Sequence, residues 1–188
     1  MNIKSALTIA AIAMSTVLTA AGQTKATTAA PNKAAATQAT SWDDLMPKDW
    51  NPGLEFKNMD LNSLTDNDPR AVALLQKLRT AWDNAPANPA MDGAAVRLPG
   101  YVVPLEESKQ GLKEFLLVPY FGACIHTPPP PANQIVHVKS KVPMKALSSM
   151  DTVWITGTLQ RSRSDTAMGI TSYTMEQASV ERYTEKAR

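Results

Sequence analysis

Hydrophobic positions change their period several times along this chain. Ala6–Leu18 is an almost unbroken apolar run, preceded by a single lysine and followed by the small residues Thr19, Ala20, Ala21 and Gly22. Residues 23–40 then carry no aromatic and no large aliphatic side chain. From Asp68 the apolar residues Val72, Leu75, Leu78 and Trp82 recur at helical spacing. From Ala94 the pattern turns to short apolar or alternating runs, which read as strands.

The first run has the charged start, apolar middle and small-residue end of a secretory leader, expected over residues 1–22. It is well short of the ~20 residues needed to span a bilayer, so cleavage is expected rather than anchoring. After cleavage no transmembrane segment is expected, and the mature chain is placed in the periplasm. No cysteine follows the cleavage region to accept a lipid. Residues 23–40 cannot bury enough surface to offset the entropy of ordering, and are expected to be a flexible tether.

Residues 41–93 read as helical decoration. Ser41-Trp42-Asp43-Asp44 has the form of a capping box, with Pro47 ending any helix within about a turn. Asp68 caps a longer helix whose first position is Pro69, where a missing N–H costs nothing. Asn84-Ala85-Pro86 ends it, and its apolar stripe is expected to pack on the core, with a partner-binding groove as the alternative.

Residues 94–188 read as the mainly β body. Strands are expected over Val96–Leu105, Leu112–Tyr120, Gln134–Lys139, Asp151–Arg161 and Tyr173–Val180. In the third, Ile135, His137 and Lys139 share one face and Val136 and Val138 the other. A short helical turn is expected over Met144–Met150, and Gly100 and Gly157 are expected at barrel bends or bulges. Five strands with a helical turn after the third suggest a small OB-like barrel, with a split β-sandwich as the alternative.

Composition narrows the function. Of 19 basic residues, Lys4, Lys25 and Lys33 precede Ser41, where no acid occurs. The remainder holds 16 basic against 17 acidic residues, a formal net charge of −1. Such a body has no electrostatic footprint for nucleic acid. A single cysteine excludes a disulfide framework.

One block concentrates the remaining chemistry. Val118–Gln134 reads VPYFGACIHTPPPPANQ and contains Cys124, the only cysteine, and His126; the only other histidine is His137. Four consecutive prolines, Pro128, Pro129, Pro130 and Pro131, favour a stiff polyproline II backbone. Cys124, His126 and His137 are candidate ligands for zinc or copper(I), with the fourth position open to water or to an acid such as Glu106. The same residues support a buried structural Cys–His contact or a thiol nucleophile, with Asn133 or Gln134 orienting the ring. Tyr120, Phe121 and Pro128–Pro131 are candidate partner-binding residues. The methionines after the tether show no Met-x-Met spacing and read as core filler.

The stretch PYFGACIHTPPPPANQIVHV, with RLPGYVVPLE before it and VWITGTL after it, resembles an uncharacterised bacterial family catalogued as domain of unknown function 3299. The resemblance covers roughly Ser41–Tyr183. It implies an exported or lipid-anchored protein associated with membrane transport components, in some members with zinc uptake, and it transfers no activity. The expected role is therefore a metal-handling or transport-associated accessory protein. The alternatives are a structural or interaction module that docks a membrane-transport partner through its proline-rich loop, or a thiol-dependent enzyme.

Overall fold

The computed structural model describes residues 40–51, 68–106, 108–124 and 129–184. The leader expected over residues 1–22 and the tether up to residue 39 lie outside the described residues, as do His126 and Pro128.

Ser41 caps a 3₁₀ turn over Trp42–Leu45, accepting from the Asp43 N–H, and Asp44 reaches back to the Ser41 N–H, so the capping box is complete. Helix α1 spans Pro69–Asp83, with the Asp68 carboxylate accepting from the Arg70 N–H and Pro69 at the first helical position. Its packing departs from expectation. Val72 and Leu75 are 46% and 64% exposed, and no residue of α1 is fully buried. The inward face instead carries Ala71, Leu74, Leu78, Ala81 and Trp82, all half-buried. Those positions also recur at helical spacing. Among the described residues, no helix is long and apolar enough to cross a membrane.

The rest of the described chain is mainly β. Strands β1 (Ala95–Glu106), β2 (Leu112–Val118), β3 (Val136–Met144), β4 (Thr152–Thr158), β5 (Gln160–Thr166) and β6 (Gly169–Arg182) form one sheet in the order β3-β2-β1-β4-β6-β5. An added parallel pairing joins β3, at one end, to β6, next to the other end, so the sheet is ring-like. The expected fourth strand is divided at Leu159. The Leu159 N–H donates to the Ala94 carbonyl and the Leu159 carbonyl accepts from the Gly93 N–H, while β5 continues as the partner of β6. Residues 145–151 form turns rather than the expected helical turn.

Alternation sorts the side chains into two cores. Val96, Leu98 and Val102 from β1, Phe115 and Leu117 from β2, Val136 and Val138 from β3, Val153 and Ile155 from β4, and Tyr173 and Met175 from β6 converge inside the ring. A second, smaller cluster contains Val103, Leu116, Val118, Ala123 and Ile135. Neither Gly100 nor Gly157 marks a bulge, because the β1–β4 register runs through both without a shift. A Cβ on Gly100 would meet Leu117 Cγ and the Val118 carbonyl oxygen at 2.7 Å, so the glycine permits close approach instead.

Candidate functional site

The block identified in the sequence lies between β2 and β3 and is anchored from both sides. Pro130 is buried, Pro129 and Pro131 are half-buried, and a 3₁₀ turn over Ala132–Gln134 follows. Asn133 is fully buried and its Nδ2 donates to the Pro86 carbonyl at 3.0 Å. Gln134 Nε2 donates to the Trp42 carbonyl at 2.8 Å. Both amides therefore bind backbone of the helical decoration through their N–H groups, while the ring of His126, which they were expected to orient, lies outside the described residues. Asn133 and Gln134, just after the prolines, act as a clasp between decoration and sheet.

Before the prolines the chain turns through Tyr120–Cys124. Gly122 and Cys124 both take left-handed backbone conformations, with φ of 84° and 65°. This brings Ala123 and Cys124 back onto the second core cluster, beside Met150 and Met168. Burial pushes the Cys124 thiol up to about 11, so it is protonated at neutral pH. That opposes its use as a nucleophile, which requires the thiolate.

His137 is placed elsewhere in the bonding network. Its Nε2 lies 2.6 Å from Glu114 Oε1 and its Nδ1 lies 2.9 Å from Ser164 Oγ. Both ring nitrogens are engaged, and the buried imidazole ties β2, β3 and β5 together. The Ser164 hydroxyl can donate to or accept from Nδ1, so the bonds suit either form of the ring. Among the described residues no set of three His, Cys, Asp or Glu side chains is placed to hold a metal ion. Glu106, the acid offered as a fourth ligand, lines a separate cavity of about 400 Å³ with Lys113, Glu114 and Lys139.

Of the aromatic residues in the block, Phe121 is 66% exposed and stands edge-on to Tyr101, with ring centroids 5.8 Å apart. Tyr120 is 43% exposed. Pro129 faces an apolar groove of about 450 Å³, whose other walls are Leu75, Leu78 and Trp82 of α1, with Arg79 and Asp83 contributing charge. The sequence favours packing of the α1 stripe on the core, with a partner-binding groove as the alternative; it does not show that Pro129 forms the facing wall. Excess apolar positions around α1, more than one face can bury, were the available signal.

Residues 42–182 match a family described as protein of unknown function (DUF3299). A crystal structure of a DUF3299 family protein from Pseudomonas aeruginosa is similar, with a TM-score of 0.59 and 36% sequence identity, over 81% of this chain and 100% of that one. No curated protein matches this chain.

Proposed function

The chain belongs to the DUF3299 family of proteins of unknown function, and for this member we propose a non-catalytic role: an exported accessory protein that docks a membrane-transport component through the groove between α1 and the proline run. The observation that carries this reading is Leu75. It is 64% exposed at a groove walled by Leu78, Trp82 and Pro129.

An amphipathic helix is normally held by burying its apolar stripe, since propensity alone is marginal at this length. Here part of the stripe faces out, and contiguous exposed apolar surface marks an interaction site. The partner segment that fits is apolar in its centre and carries charges able to meet Arg79 and Asp83. The clasp favours such a role, because Pro129 is positioned by neighbours anchored at Pro86 and Trp42 and loses little entropy on binding. Export is supported by the leader-like pattern of residues 1–22. A protonated Cys124 supports the non-catalytic assignment.

The test is a photo-crosslinking residue at position 75, compared with one at Val142, which is equally exposed on β3 and outside the groove. A discrete adduct with a membrane-transport component, formed at 75 and absent at 142, is expected in the native host. No adduct, or the same adducts from both positions, overturns the reading.

A further inference from the structure

We propose that the cleft between α1 and the proline run binds a single-chain zwitterionic amphiphile, a molecule with an acyl tail, a phosphate and an ammonium group. Two cavities carry this inference. One is the apolar groove of about 450 Å³ described above, with Leu75, Leu78 and Trp82 on its walls. The other, of about 310 Å³, has the polar side chains of Arg79, Asp83, Asp165 and Thr166 on its walls. Arg79, Asp83 and Pro129 line both, so the two cavities adjoin across these residues. Their sizes suit a small ligand, whose sites run to roughly 300–1,000 Å³.

Charge in the polar half selects the head group. Arg79 supplies one cation, while Asp83 and Asp165 supply two carboxylates. Among the described residues none of these three forms an ion pair. A fatty acid would bring a third carboxylate to the two already present. An alkylammonium would leave Arg79 without a counter-ion. A zwitterion answers both, because a phosphate takes bidentate bonds from a guanidinium and an ammonium matches the carboxylates. The order along the ligand fits as well. Arg79 stands where the two cavities meet, and Asp165 lines only the polar one, so tail, phosphate and ammonium follow in sequence.

The walls are held in place by contacts of the fold. The β5–β6 turn is seated on the proline run: a Cβ on Gly169 would lie 3.5 Å from Pro129 Cβ. Arg163 Nη1 donates to the Asp83 carbonyl at 2.6 Å, which ties the end of α1 to β5, the strand that carries Asp165. The charged walls therefore need little ordering when a ligand enters. The acyl tail and a docked transport component occupy the same groove in turn. The amphiphile is thus the cargo of the accessory role proposed above, and the inference rests on that reading.

The experiment is calorimetric titration of the chain, without its leader, with lauroyl lysophosphatidylethanolamine below its micelle concentration. The expected result is one equivalent bound. Laurate and dodecylammonium, of comparable tail length, should each bind at least tenfold more weakly. Arg79→Ala and Asp165→Asn change exposed side chains and should keep the native circular dichroism. Each should weaken binding of the zwitterion at least tenfold. Absence of binding overturns the proposal, as do equal affinities for the three amphiphiles or full affinity in folded Arg79→Ala and Asp165→Asn variants. The titration needs no partner, so the two readings fail separately. No lipid binding with the position-75 adduct retained removes the cargo alone, and bound lipid with no adduct removes the docking alone.

Discussion

The Tyr173 hydroxyl donates to the Leu45 carbonyl at 2.7 Å, a bond between residues 128 positions apart. The same oxygen accepts from the Asn88 N–H at 2.6 Å. Tyr173 is fully buried on β6, so this one phenol joins the two ends of the helical decoration to the sheet. Tyr173→Phe keeps the ring and deletes both bonds. The Asn88 N–H retains a 3.2 Å bond to the Leu45 carbonyl, which limits the damage. The expected loss is about 1–2 kcal/mol in urea denaturation, the net value of roughly two hydrogen bonds.

Gly100 tests the close approach of β1 and β2. A methyl group there meets Leu117 Cγ and a backbone oxygen at 2.7 Å, and the backbone cannot yield as a side-chain tip does. Gly100→Ala should cost about 1–3 kcal/mol by overpacking. A neutral outcome by thermal or urea unfolding would contradict the packing described.

His137 is a tie rather than a spare imidazole. His137→Ala removes bonds to both Glu114 and Ser164 and empties a buried position. A loss of about 2–3 kcal/mol is expected in urea denaturation. Ser164→Ala removes only one of the two bonds and should cost about 1 kcal/mol.

Cys124 gives a pH signature in the metal-free protein. Its thiol ordinarily titrates near 9.0 and is raised to about 11 in the fold. The folded state therefore holds this proton more tightly than the unfolded chain. That stabilisation is complete below about 9 and is lost as pH rises towards about 11. Alkylation by iodoacetamide should be slow at pH 7.5 and accelerate along that range, and it should equal the rate of a free thiol once urea unfolds the protein.

Much of this fold is legible from local chemistry. Asp68-Pro69 states where α1 begins, and Ser41 with Asp44 states a capping box, because caps depend on residues two or three apart. The alternation correctly sorts Val136 and Val138 of β3 into the main core and Ile135, just before β3, into the second cluster. What escapes is set by partners distant in sequence. Nothing near Leu159 announces that the strand is divided there, where Leu159 pairs with Ala94 and Gly93. Likewise, the choice between the Val72–Leu75 stripe and the Leu74–Leu78 face of α1 is made by the body it meets. His137 was legible as a polar residue on a buried strand; its partners Glu114 and Ser164 were not, because register between strands is absent from any single strand. The block around Cys124 was legible as unusual, whereas its anchoring to Pro86 and Trp42 required the tertiary structure.

The docking groove is tested most directly by placing a photo-crosslinking residue at Val72 and asking whether Leu75→Glu removes its adduct. Leu75 is largely exposed, so a charge there should change stability by no more than about 0.5 kcal/mol. The Val72 adduct to a membrane-transport component should be lost while the melting curve is unchanged. An adduct that persists at full yield with glutamate at position 75 would contradict it.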